Sequence, residues 1–179
     1  MVEESAKEEW GRVLTERPPD RDEEESRYIQ VVGERRFTLL ELAPADSANL
    51  SPGDRVAVES EDSLGVHRRL TYQTLTQAAQ DRLEATIEEI ITANEQRFVD
   101  FYNNAQPIGL RKHQLDVLAG IGDTRREAIT DEQRRGPFAD FADLEARVDS
   151  LHDPQTLLVE RVLTELKEVE EVRYKLLVN

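Results

Sequence analysis

The chain has 179 residues, 38% of them hydrophobic, no cysteine and a formal net charge of −15. That length suits one compact unit or two small domains. The missing cysteines exclude disulfides, thiolate metal sites and cysteine nucleophiles. No apolar run approaches the roughly 18 residues of a membrane span.

Residues 1–25 hold Pro18-Pro19, an acidic run from Asp20 to Glu25, and ten acidic against four basic residues. Such a stretch is expected to be disordered or loosely attached, with Trp10, Val13 and Leu14 forming at most one amphipathic turn. It has no apolar leader core, so a cytoplasmic location is expected. From residue 26 the pattern turns to β. Segments 27–32, 36–42, 55–60 and 66–73 carry β-branched and aromatic residues in partial alternation. Ser51-Pro52-Gly53-Asp54 is a turn signal between them. Four or five short strands predict a small closed barrel of OB type over 26–73. Arg35, Arg36, Arg68 and Arg69 would offer cations on its strand face, with Tyr28 and Phe37 in its core.

A helical period follows over 74–170. Leu83, Ile87, Ile90 and Ile91 form one stripe, and Thr76 is placed to cap it. Phe98, Phe101 and Tyr102 sit on a second helix that Pro107 ends. Helices over about 110–119 and 123–133 then flank Gly120-Ile121-Gly122. A further pair, 141–149 and 154–169, has Asp153-Pro154 as an N-cap followed by proline. It reads as a second, degenerate hairpin whose loop lacks glycine. Last, Val172, Tyr174, Leu176 and Val178 alternate with Arg173, Lys175 and Leu177, which predicts a strand over 172–178 returning to the barrel.

The segment Leu118 to Ile129, LAGIGDTRREAI, carries the main functional signal. A G-x-G turn between helices leaves bare backbone N–H groups at the start of the second helix, where the helix dipole favours an anion. With Arg134-Arg135-Gly136-Pro137-Phe138 and Asp143-Leu144 downstream, it resembles the nucleic-acid-binding helix-hairpin-helix class. Together with Asn94 to Phe101, Asn104 to Ile108, Arg111 and His113 upstream, residues 26–178 resemble an archaeal family of uncharacterised proteins described as RNA-binding. That resemblance implies an α+β fold: an OB-like barrel, then a helix-hairpin-helix over 110–133. RNA rather than DNA rests on this resemblance alone.

The candidate nucleic-acid-binding residues are therefore Gly120, Ile121, Gly122, Thr124, Arg125, Arg126, Arg111 and Lys112 at the hairpin, and Arg35, Arg36, Arg68 and Arg69 on the barrel. One feature opposes them. Asp123 stands where hairpins of this class commonly carry a residue compatible with phosphate. It would cap the second helix yet repel a bound anion.

The acidity also opposes polyanion binding. However, the 23 cations comprise 19 Arg and 4 Lys, a balance that points to a proteome adapted to high salt. There the Debye length shrinks to about 3 Å. Charge is also uneven: residues 111–135 carry six basic against five acidic residues, and 26–75 six against seven. No GxSxG, P-loop, metal-ligand spacing or nucleotide fingerprint occurs, so no enzyme, cofactor or metal site is expected. The leading expectation is a non-catalytic nucleic-acid-binding protein. The competing one is an interaction module of a translation or transcription assembly, its hairpin used for protein contacts. The oligomeric state is left open.

Overall fold

The computed structural model describes residues 7–22, 26–59, 63–168 and 172–178. It is a mixed α+β fold. Five strands, β1 (Trp10–Arg17), β2 (Tyr28–Gly33), β3 (Leu39–Pro44), β4 (Arg55–Ala57) and β5 (Ser63–Arg69), precede five helices. These are α1 (Gln77–Ala93), α2 (Glu95–Asn103), α3 (Asp123–Arg135), α4 (Phe141–Arg147) and α5 (Pro154–Lys167). The strands form one antiparallel sheet in the order β4-β1-β2-β3-β5.

Two expectations about the sheet are corrected here. Residues 10–17 are not a loose segment; they are β1, flanked by β2 and β4. A register shift between Val13 and Thr15 explains why the strand is hard to read. Val13 and Leu14 face opposite sides, as neighbours in a strand do, but a core covers each side, and the shift changes the phase of the residues that follow, so no simple apolar–polar alternation survives. The sheet is also not a closed barrel. β4 has three residues and pairs with β1, β5 pairs with β3, and among the described residues no ladder joins these two edges.

The pleat divides the apolar side chains between two cores. Val13, Ile29, Val31, Leu40, Leu42, Val56 and Val58 fill a small core on one face. Leu14, Val32, Phe37 and Leu39 face the helices and join Leu83, Ile87, Ile90 and Ile91 of α1. This larger core continues through Leu115, Ile129, Phe138, Leu144, Leu158 and Val162. Thr76 accepts a hydrogen bond from the Ala79 N–H and caps α1 as the sequence suggests.

A polar row fixes this helix against the sheet. The buried Glu41 carboxylate receives Arg17 Nε at 2.9 Å, Arg68 Nε at 2.9 Å and Gln30 Nε2 at 3.2 Å. Gln30 Oε1 in turn accepts the Thr76 N–H at 3.0 Å. Burial opposes the charge on Glu41, yet Arg17, Gln30 and Arg68 outweigh it and hold its pKa below the ordinary value.

Three further segments depart from expectation. Residues 110–119 contain no α-helix. Their regular structure is one 3-10 turn, Gln114–Val117, because only Leu115 and Leu118 bury and Leu110 points fully into solvent. Upstream, Ile108 N–H donates to Lys112 O and Pro107 bridges His113, so 107–113 is a tight loop. Residues 172–178 are not a strand: the Leu176 and Leu177 N–H groups donate to the buried Glu165 carboxylate, leaving no ladder. The tail still returns to the sheet end, where Arg36 Nη2 donates to Val178 O at 3.2 Å. Asp153 stands at the N-cap of α5 with φ 51°, but its side chain makes no capping bond. The loop between α4 and α5 is pinned by the buried Leu151.

Candidate nucleic-acid interface

The turn ahead of α3 divides its two glycines by role. Gly120 has φ +76°, a conformation that favours glycine. Gly122 has φ −98°, and a Cβ there would meet nothing within 4 Å. Of the two, Gly120 alone needs to be glycine; the neighbourhood of Gly122 is open and its backbone unstrained. Between them Ile121 is buried and points into the core. It positions the turn and presents no side chain to a ligand.

Gly122 is the N-cap of α3 and Asp123 its first residue, so Asp123 is not the cap. Its carboxylate is 85% exposed and pairs with Arg126 at 3.0 Å. Gly122, Asp123 and Thr124 are all exposed, leaving the helix N-terminus open to solvent. The neighbouring guanidiniums already have partners. Arg125 Nη1 donates to Gly120 O at 2.6 Å, which closes the turn. Arg126 Nη1 lies 2.9 and 3.1 Å from the two oxygens of Asp116. Arg126 is therefore a strut between the 3-10 turn and α3 rather than a free cation.

The turn itself is a capping box. His113 Nδ1 accepts the Leu115 N–H at 3.1 Å, and Asp116 accepts the His113 N–H at 2.8 Å. Burial lowers the His113 pKa, against Asp116 and with Arg126. Burial works to raise that of Asp116, but the His113 N–H and the Arg126 guanidinium hold it below the ordinary value.

Beside this turn lies a cleft of about 920 Å³. Arg111 and Lys112 line one wall, Arg161 and Thr164 of α5 another, and Val172, Arg173 and Tyr174 of the tail a third. Arg111, Lys112 and Arg173 are exposed, and Arg173 lies 5.4 Å from the Tyr174 ring centroid. Arg161 is mostly buried. It donates to Val117 O and Tyr174 O and pairs with Glu165 at 3.7 Å, so it ties the walls together. Among the described residues, Asp116, already paired with Arg126, and the exposed Glu168 stand against these cations. Counted over those residues, the cleft is basic in an acidic chain. The sequence pointed to Arg111 and Lys112; Arg161, Arg173 and Tyr174 it missed, since folding brings them there from 49 to 63 residues away in the chain.

The barrel-face arginines are scattered. Arg35 and Arg36 stand on the β2–β3 turn rather than a strand face, because the chain reverses over Glu34–Phe37 with Phe37 at φ 53°. The buried Glu8 carboxylate accepts the Arg35, Arg36 and Thr38 N–H groups and fills that turn. Arg68 pairs with Glu41, leaving its side chain 49% exposed. Arg69 lines a separate small pocket with Thr38, Tyr72 and Lys175. Arg35 and Arg36 line another pocket, with Arg97 and Phe101, and neither of these two pockets reaches the α3 turn.

Arg147 explains the Gly136-Pro137-Phe138 signature. Its guanidinium donates to Glu132 O, Gly136 O and Pro137 O at 2.7, 2.8 and 2.9 Å and lies 4.4 Å from the Phe138 ring centroid. Asn103 pairs with both the N–H and the C=O of Phe138, at 2.7 and 3.0 Å. These bonds dock α3, whose own surface buries only Ile129. Among the described residues there is no cluster of His, Asp or Glu that could hold a metal ion, and no helix long and apolar enough to cross a membrane.

Fold and cleft together define a mixed α+β protein with a basic, three-walled cleft beside an open helix N-terminus. The chain belongs to the DUF655 family, described as "Protein of unknown function", whose profile matches residues 14–179. It is similar to the uncharacterised protein MJ0038 of Methanocaldococcus jannaschii, with 30% identity over 164 residues, 90% of this chain and 74% of that protein. Its fold is similar to the crystal structure of Af1531 from Archaeoglobus fulgidus. The identity there is 36% and the TM-score 0.85, over 96% of this chain and all of that one.

Proposed function

We propose that this protein is a non-catalytic nucleic-acid-binding protein that grips backbone phosphate, with RNA favoured over DNA. The observation that carries the reading is the cleft walled by Arg111, Lys112, Arg161 and Arg173, next to the exposed start of α3. Exposed cations neutralise phosphates and release counterions, which supplies most sequence-independent affinity. The open N–H groups of α3 add a site for one further phosphate. In this reading the Gly120–Gly122 turn is a helix-hairpin-helix loop whose first helix has shrunk to the 3-10 turn. The sheet is a relative of the OB architecture left open at its edges. The preference for RNA comes from the family resemblance in the sequence, since nothing here reads a 2′-OH. In this reading the protein works in a salt-rich cytoplasm, which the high arginine share and net charge of −15 favour.

A second reading is a protein-contact module in a translation or transcription assembly. Asp123, 85% exposed at the α3 N-terminus, favours it, because a carboxylate there disfavours a bound phosphate. Binding of labelled single-stranded and duplex RNA and DNA at several salt concentrations separates the two. A steep negative salt slope supports phosphate binding. Folded protein that binds none of these at low salt supports the protein-contact reading.

A further inference from the structure

Away from the cleft, the start of β1 carries a second cluster of cationic and aromatic groups. Trp10 is the one tryptophan of the chain, and its side chain remains 40% exposed. The Arg55 guanidinium lies over it, 4.0 Å from the ring centroid. A pocket of about 330 Å³ opens beside the pair, lined also by Glu9, Glu34, Arg35 and Arg97. That size is at the lower end of small-ligand sites.

The charges there are arranged around Glu34. Its carboxylate receives Arg12 Nε at 2.8 Å and Arg55 Nε at 3.0 Å, and its carbonyl receives Arg97 Nη2 at 2.6 Å. Glu34 is thus neutralised twice over by side chains held in place. Glu8 spends its carboxylate on the backbone N–H groups of the β2–β3 turn. Arg35 is exposed at the rim. Counting Arg12, the cluster sets, among the described residues, four guanidiniums against Glu8, Glu9 and Glu34, the reverse of the chain, where 38 acidic residues outnumber 23 basic ones. An exposed indole with a planar group already stacked on it, beside fixed cations, suits a ligand that is planar at one end and anionic at the other. A nucleobase with its phosphate is such a ligand, and base–aromatic stacking is worth about 1–3 kcal/mol per base.

We propose that Trp10 is a stacking site for one base of a single strand, with Arg35 holding the adjoining phosphate. The base takes the indole face from Arg55, whose guanidinium swings aside, while Arg12 keeps Glu34 paired. The choice of ligand class rests on the function proposed above, but the geometry is separate from the cleft. Trp10 also lies ahead of residues 14–179, which the family profile matches.

A single tryptophan makes the test direct. Trp10 emission of the full chain is followed at low salt while adenosine 5′-monophosphate, and separately a short single-stranded oligoadenylate, is added, with a free tryptophan analogue correcting for absorbance. Saturable quenching by the strand is expected, with weaker quenching by the mononucleotide. Trp10→Ala should weaken strand binding, read from a label on the strand, by about five- to hundredfold. Arg35→Gln, at an exposed position, should lower the salt slope by about one. Emission unchanged by both probes overturns the proposal, as does wild-type strand affinity in both variants. Quenching by the mononucleotide alone also overturns it, in favour of a nucleotide pocket. Strand binding that depends on Arg111 and Lys112 while Trp10 stays silent removes this site and leaves the cleft. Quenching with no dependence on those two residues does the opposite.

Discussion

Arg126 and Asp116 are joined by one guanidinium nitrogen that reaches both carboxylate oxygens, at 2.9 and 3.1 Å. The pair ties the 3-10 turn to α3 across ten residues of chain and sets the entrance of the basic cleft. The same Asp116 accepts the His113 backbone N–H, and burial lowers the pKa of the His113 ring, whose Nδ1 accepts the Leu115 N–H.

That arrangement has a pH signature. Burial puts the folded His113 pKa below its ordinary 6.5. The unfolded chain therefore takes up a proton first, and His113 favours the fold fully above about 6.5. Its contribution is lost as pH falls from there through the folded pKa. Asp116, also lowered, gives way only at more acid pH, below the ordinary carboxylate range. An NMR titration of the His113 ring should give a midpoint below 6.5, with Leu115 and Leu118 amide shifts moving in step. A midpoint at or above 6.5 contradicts the capping role of Nδ1.

The two glycines of the turn should respond differently. Gly120→Ala places a Cβ at φ +76°, 3.2 Å from Arg125 Nη1. It should destabilise by about 1–2 kcal/mol. Gly122→Ala meets open space at an ordinary φ. The loss of a preferred N-cap residue and the reduced freedom of the unfolded chain there offset each other, to within about 0.5 kcal/mol. Denaturant melts of both variants decide this, and equal losses would mean the turn is misdescribed.

Asp123→Lys should uncouple affinity from stability. The change removes a carboxylate that suits the helix dipole and its pair with Arg126, for about 0.5–1 kcal/mol of stability. It adds a cation beside the open N–H groups of α3. Nucleic-acid affinity should rise and the salt slope steepen by about one. The protein-contact reading predicts no such gain.

Much of the fold is legible along the chain, and the failures have physical reasons. The stripe Leu83, Ile87, Ile90 and Ile91 marks α1 because one long helix buries one face. β1 is obscured because cores cover both its faces, burying the neighbours Val13 and Leu14 alike, because its bulge shifts the phase after them, and by the acidic, proline-containing residues that follow. The tail alternates like a strand, yet its N–H groups go to Glu165, a buried carboxylate between Val162 and Leu166 of α5. A lone acid inside that apolar stripe was the available signal. At the candidate site, Gly120, Arg111 and Lys112 stand out locally. Arg161 and Arg173 join them only through tertiary packing, which no local pattern encodes.

The surplus of carboxylates should make stability depend on salt. Like charges repel in the compact state, and screening relieves that repulsion. The melting temperature should climb between dilute and molar KCl. A flat or falling trend would leave the net charge of −15 without its high-salt explanation.

The central claim is that the basic cleft holds nucleic-acid backbone. Its most direct test is anisotropy of a labelled single-stranded RNA across a KCl series, comparing the wild-type chain with Arg111→Gln/Lys112→Gln. Both side chains are exposed, so the double variant should melt like the parent. Affinity should fall at low salt, and the slope of log K against log salt should shrink by about 1.4, since each single-strand phosphate contact contributes about 0.7. Identical affinity and slope in the two proteins would contradict the claim.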